Sequence, residues 1–170
     1  MQSLFSPFTP DMLSENLFSL IGSDWMLITA GTPDRFNTMT ASWGTAGILW
    51  NKPVAVCFIR PERYTYEFVE GTERLTLSFL PDTYRKALAY CGSHSGRDGD
   101  KLAACDLHGA ASPDGVPYVR EARLVLQCRK LYADDLRAAS FLDPALLSHY
   151  EKGGFHRFYV CEIEQILRAD

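Results

Sequence analysis

Residues 36–66 read FNTMTASWGTAGILWNKPVAVCFIRPERYTY, and this stretch decides how the rest of the chain is read. From Asn37 it alternates: Asn37, Met39, Ala41 and Trp43 fall on one side of a strand, and Thr38, Thr40 and Ser42 on the other. Hydroxyls at every second position, about 6.6 Å apart, suit either the wet side of a half-exposed strand or a surface that hydrogen-bonds a ligand. A second apolar strand, Val54 to Ile59, runs directly into Arg60-Pro61-Glu62-Arg63-Tyr64-Thr65. Two guanidiniums, a phenol and a hydroxyl at one strand end are the groups an anionic ligand requires.

The 170 residues, 46% of them hydrophobic, predict a single domain spanning residues 1–170. No stretch approaches the ~20 apolar residues of a membrane span, and MQSLFSPFTPDM lacks the basic start and apolar run of a signal peptide. A formal charge of −4 argues against nonspecific nucleic-acid binding. Cysteines at 57, 91, 105, 128 and 161 show no CxxC and no zinc spacing. An odd number of unpaired thiols without a signal predicts a reduced, cytoplasmic protein and no metal site.

Thr9 is read as the cap of a helix with Pro10 in its first turn, Leu13, Leu17, Leu20 and Ile21 on one face, and Gly22 as the stop. Trp25–Ala30 and Phe36–Gly44 form a hairpin around Gly31-Thr32-Pro33-Asp34, and 45–50 is a loop. Val54–Ile59, apolar on both faces, is a central strand. A short helix over 65–70 ends at Gly71, a strand covers 74–80, and a helix over 84–90 ends at Gly92. Residues 91–115 lack periodicity, as in a loop that either is solvated or has a functional role. A long strand over 119–132 carries Arg123, Val125, Gln127 and Arg129 on one face, predicted to meet solvent or a second subunit. Asp143-Pro144 caps a short helix ending at Gly153-Gly154, and 155–167 is the last strand.

Six or seven strands with short helices between them predict a mainly β, antiparallel barrel rather than a doubly wound parallel sheet. There is no G-x-S-x-G elbow, no G-x-G-x-x-G fingerprint and no Walker A loop.

NTMTASW, LWNKPVAV and RPERYTYEF resemble the FMN-binding flavin reductase family, the flavoredoxin-like split barrels. The likeness continues through CGSHSGRDGDK (91–101), VPYVREARLVLQCRKLY (116–132) and HRFYVCEIEQIL (156–167). The resemblance implies a Greek-key split β-barrel with short peripheral helices, usually a homodimer with flavin between subunits. It implies that Asn37, Thr38, Met39, Thr40, Ala41 and Ser42 lie along the flavin ring and ribityl chain; Trp43 and Trp50 are read either as walls of that pocket or as tryptophans flanking the barrel core. It places Arg60, Arg63, Tyr64 and Thr65 on the phosphate side, and has Ser93, Ser95, Arg97 and Lys101 complete the pocket. His156 resembles a histidine that many relatives hold near the nicotinamide or flavin, and is the catalytic candidate. Here, however, Gly154-Phe155 stands where many relatives have an acidic residue, and Cys161 replaces a common glycine.

The implied activity is hydride transfer from NADH or NADPH to the N5 atom of FMN, with reduced flavin serving an oxygenase or another electron acceptor. Two alternatives remain open at this point: an FMN electron carrier without nicotinamide activity, and a split-barrel domain binding another ligand.

Overall fold

The structure, a computed structural model, describes residues 5–169. Ten strands form: β1 (Phe5–Phe8), β2 (Met26–Thr32), β3 (Arg35–Ala41), β4 (Gly44–Leu49), β5 (Lys52–Ile59), β6 (Arg74–Phe79), β7 (Gly109–Ala111), β8 (Pro117–Val119), β9 (Leu124–Asp135) and β10 (Arg157–Ala169). Helices are α1 (Tyr64–Glu70), α2 (Arg85–Ser93) and α3 (Lys101–Ala104), with 3-10 turns elsewhere. The main sheet runs β3-β2-β6-β9-β10-β5-β4, with β1 on β10, and every pairing is antiparallel.

One face of this sheet converges on a single apolar cluster containing Ile28, Met39, Cys57, Leu75, Leu126 and Tyr159, contributed by six different strands. A sheet whose strands all point into one core must roll up around it, as in a barrel. The two edge strands, β3 and β4, are joined only by Ser42 and Trp43, so the opposite edges meet at that corner without pairing. This is the split in the barrel, and the fold class is the one the sequence predicts.

The outer face is graded by rows. The register sets Thr40, Leu27, Ser78, Val125 and Leu167 side by side, and this row packs under α2 with Leu88 and Val119. The next row, Thr38, Thr29, Thr76, Gln127 and Gln165, is polar; the first four are almost fully buried. Thr76 donates to the Pro117 carbonyl at 2.7 Å and Gln127 to Asp114 at 3.1 Å, so the β7–β8 excursion covers this row. Further along, Arg74 and Arg129 share Glu164 at the surface.

That gradient corrects the expectation for the Arg123, Val125, Gln127, Arg129 face. Val125 and Gln127 are buried by the chain's own segment 80–122, not by solvent or a second subunit. The segment expected as a loop, 91–115, instead holds α3, β7 and the turn into β8. Asp100 caps α3, accepting from the Leu102 and Ala103 amides. The long strand begins at Leu124, five residues later than expected.

Three other expectations are corrected. Residues 9–22 are not one helix: a 3-10 turn at Pro10–Met12 is followed by a separate helical turn that ends in π geometry over Ser19–Asp24. Thr9 offers no side-chain cap, whereas Asn16 Oδ1 accepts from the Phe18 and Ser19 amides and starts the second turn. Residues 44–49 are a strand rather than a loop, because Trp50 and Asn51 both take positive φ (52° and 56°) and close a two-residue hairpin onto β5. Finally, α2 continues through Gly92 to Ser93, and His94 is its cap.

Candidate functional site

Two cavities adjoin along the edge strand β3. The first, about 250 Å³, lies at the split and is lined by Met39–Trp43, Phe58, Arg60, Arg63 and His156. The second, about 370 Å³, continues past Asn37 and Thr38 to Tyr64, Gly96, Asp100 and Lys101. Their linings are consecutive both in β3 and at the Arg63–Tyr64 step, so they form one groove. Each alone is near the low end of the ~300–1,000 Å³ typical of small-molecule sites.

β3 supplies this groove because it is unpaired on one side, and its side chains are already fixed from behind. Thr40 Oγ1 donates to the Leu88 carbonyl at 2.6 Å, and Thr38 Oγ1 donates to the Ile28 carbonyl while accepting from Thr29 Oγ1 at 3.0 Å. Two of the three alternating hydroxyls therefore anchor the strand. Asn37, also buried, donates from Nδ2 to Thr65 Oγ1 at 2.8 Å, tying β3 to the first turn of α1. The 95–98 turn closes on the same asparagine: a Cβ on Gly96 would lie 2.1 Å from Asn37 Oδ1.

Cations follow the groove in series. Arg60 sits at the end of β5, where its Nη2 donates to the His149 carbonyl at 2.9 Å and its guanidinium lies over the Tyr150 ring. Arg63 donates to the Gly92 carbonyl at 2.7 Å, and Lys101, 5% exposed, donates to the Cys91 carbonyl at 3.2 Å. Among the described residues no carboxylate lies within 4 Å of Arg63 or Lys101. Burial lowers the pKa of Lys101 and the nearby Arg63 charge lowers it further; burial likewise lowers that of Arg63, opposed by the Glu62 carboxylate and aided by Arg60. Like charges so placed are stabilised by an anion between them.

At the split, His156 Nδ1 is 2.8 Å from the Tyr150 hydroxyl, and its ring packs 5.1 Å from Trp43 and 6.4 Å from Phe58. Burial, aided by the Arg60 charge, pushes the imidazole down to about 4, so it is neutral at pH 7. A neutral imidazole here can donate or accept a hydrogen bond but does not act as a resident cation.

The structure therefore brings Met39, Thr40, Ala41, Ser42, Trp43, Arg60, Arg63 and His156 to one cavity. It brings Asn37, Thr38, Tyr64 and Lys101 to the next, with Thr65 behind Asn37. Besides Thr65, three expected residues line neither cavity. Ser93 donates to the Ala89 carbonyl in the last turn of α2, and Ser95 Oγ accepts from the Arg97 amide. Arg97 pairs with Glu67 and lies over the Tyr64 ring. Phe58, Tyr150 and Gly96 belong to the site but escape sequence reasoning. Phe58 shares its strand parity with Arg60, a signal that could have found it; Tyr150 and Gly96 arrive only through tertiary packing.

A family model described as flavin reductase like domain matches residues 18–169. Among solved structures, an FMN-binding protein from Thermus thermophilus with bound 1-cyclohex-2-enone is 22% identical. It superposes with a TM-score of 0.68 over 99% of this chain and 81% of its own. A flavoredoxin from Methanosarcina acetivorans (22% identity, TM-score 0.64) covers 84% of this chain and 67% of its own. An NADH:FAD oxidoreductase from Streptomyces globisporus C-1027 (17%, TM-score 0.63) covers 85% and 75%. At these identities the likeness is one of fold. No curated protein matches the sequence. The family model spans the whole sheet from β2 to β10 and every residue that lines the groove, and the chain belongs to the flavin reductase like domain family.

Proposed function

We propose that the groove along β3 binds FMN and that the protein is an NAD(P)H-dependent flavin reductase. The observation that carries this reading is a pair of cations, buried Lys101 and half-buried Arg63, that line adjoining cavities with only carbonyl partners. A monophosphate supplies the missing charge. Family membership supports flavin as the group attached to it.

The residues fit such a ligand. Arg63 and Lys101 hold the phosphate, and the backbone of Met39–Ser42, kept in place by the Thr38 and Thr40 hydrogen bonds, borders the flavin. Phe58 and Trp43 line the cavity at the split with apolar surface, where His156 offers a neutral ring nitrogen. Bound FMN would supply two-electron redox chemistry, accepting hydride from NADH or NADPH. An electron carrier without nicotinamide activity is the second reading, supported by the fold shared with flavoredoxin.

Titration with FMN and FAD, followed by flavin fluorescence, is expected to show tighter FMN binding, because the cationic pair is built for one phosphate. Equal affinity would remove the monophosphate argument, and binding of neither would remove the assignment. Oxidation of NADH or NADPH with FMN present then separates reductase from carrier.

We also propose a homodimer, moved to a different face from the one the sequence suggested. Trp50 and Tyr132, both about half exposed, join Phe158 and Phe58 in a run of rings 6.0–6.4 Å apart that reaches the split. An exposed apolar run of this kind is unusual on a monomer. Light scattering is expected to give twice the 19.1 kDa chain mass, and Tyr132→Asp to shift it toward the monomer. A monomer at micromolar concentration with FMN bound would contradict this assembly.

A further inference from the structure

We propose that Tyr150 is a positioning residue for His156: its hydroxyl donates to Nδ1, which puts the imidazole proton on Nε2 and presents an N–H donor to the cavity at the split. The inference rests on the functional reading above, in that it names what this end of the groove offers to a bound ligand.

The geometry decides the direction of the bond. The Tyr150 hydroxyl and His156 Nδ1 are 2.8 Å apart, and Tyr150 is 7% exposed. Among the described residues Nδ1 is the phenol's only hydrogen-bond partner. If Nδ1 carried the proton and donated to the phenol oxygen, the buried O–H would have no acceptor, the costlier arrangement. With the phenol donating, both groups are satisfied and Nε2 is the protonated nitrogen. Nε2 has no partner among the described residues, and His156 lines the cavity.

Tyr150 is itself held. Its ring stacks on Phe155 at 4.6 Å and an 11° tilt, Phe141 packs edge-on at 5.8 Å, and the Arg60 guanidinium covers it. Arg60 also grips the preceding residue through the His149 carbonyl, and the His149 ring meets Trp43 at 5.3 Å. The segment Pro144–Tyr150, started by Asp143 accepting from the Ala145 amide, thus acts as a bracket for one hydroxyl. The other charged or titratable groups facing the imidazole are Arg60, Glu62 and, across Trp43, His149.

The test is two-bond proton–nitrogen correlation NMR on the ¹⁵N-histidine-labelled full chain. Wild type is expected to show an unprotonated-type Nδ1 and a protonated-type Nε2 for His156. Tyr150→Phe is expected to shift the tautomer ratio about two- to tenfold toward Nδ1–H, the worth of one neutral hydrogen bond. It is also expected to raise the His156 midpoint, because a donor to Nδ1 opposes protonation there. Arg60→Gln separates charge from hydrogen bonding: it raises the midpoint by removing a cation, and because the phenol is still present its tautomer shift is expected to be smaller than that of Tyr150→Phe. Thermal melts establish that both variants are folded. A proton on Nδ1 in wild type, or a Tyr150→Phe spectrum matching wild type, would overturn the proposal. FMN titration of the same samples tests the functional reading separately, since its failure leaves the tautomer result unaffected.

Discussion

Replacing Lys101 by Met is expected to weaken FMN binding by roughly ten- to a hundredfold while leaving the unliganded protein at least as stable as wild type. Lys101 is 5% exposed and its ammonium has one carbonyl partner. Taking an ammonium out of water costs several kcal/mol, and one neutral acceptor offsets only part of it. Methionine keeps the apolar stem's length without that penalty. With ligand present the balance reverses, because a charge-assisted bond to phosphate contributes about 1.5–3 kcal/mol.

The same lysine gives a pH signature. Its folded pKa is lowered from 10.5 by burial, so the unfolded chain binds more protons in the window just below that value. Unliganded wild type should therefore gain stability as pH rises toward 10.5, and Lys101→Met should lose that gain. Melting curves and FMN titrations on the two proteins decide the matter. A variant that melts lower and binds FMN as well as wild type would make Lys101 a structural residue and remove it from the site.

Gly31→Ala is expected to be the most damaging single-methyl addition in the sheet. Gly31 closes β2 against β3 with φ at +132°, and a Cβ there would lie 2.3 Å from the Arg35 carbonyl oxygen and 2.6 Å from the Phe36 Cα. Both obstacles are backbone of the edge strand that carries the site, so neither yields without moving it. Backbone strain and overpacking of about 1–3 kcal/mol each sum to about 2–6 kcal/mol. At about 2–4 °C per kcal/mol for a chain of this size, the melting point should fall by about 4–24 °C. Gly115→Ala isolates the first of these effects, since its φ is +74° but nothing lies within 4 Å of the added methyl. Similar melting points for the two variants would show that the Gly31 clash is relieved at little cost.

The hairpin around Gly31 was legible because its signals are local. Pro33-Asp34 supplies the turn, and the period-2 pattern on either side fixes which residues share a face. The central strand β5, the helix closed by Gly71 and the Arg60–Thr65 cluster could be read for the same reason. Each is specified by residues within one turn or strand of one another. Failures occurred where a local pattern has two tertiary solutions. Gly44–Leu49 carries small and apolar residues that suit either a loop or an edge strand. The choice was made by Trp50 and Asn51 adopting left-handed backbone without a glycine to advertise it.

The Arg123–Arg129 face shows the same limit on a larger scale. Alternating polar and apolar residues read as a half-wet strand. The chain, however, lays α2 and the β7–β8 excursion over this face and buries Val125 and Gln127, through contacts that strand alternation does not encode. The site divides along the same line. Asn37–Trp43, Arg60 and Arg63 announced themselves by composition at one strand and one strand end. Their meeting with Lys101, Tyr150 and His156 depended on how the sheet rolls. Sequence alone determined most strands of the main sheet, a mainly β antiparallel barrel and two arginines near one strand end, because these follow from periodicity and local composition, while the split in the barrel was implied by the family resemblance. Only tertiary structure decided which hydroxyls are spent as anchors, which cations lack a counter-charge and which nitrogen of His156 is left for a ligand, because burial and partnership depend on long-range contacts.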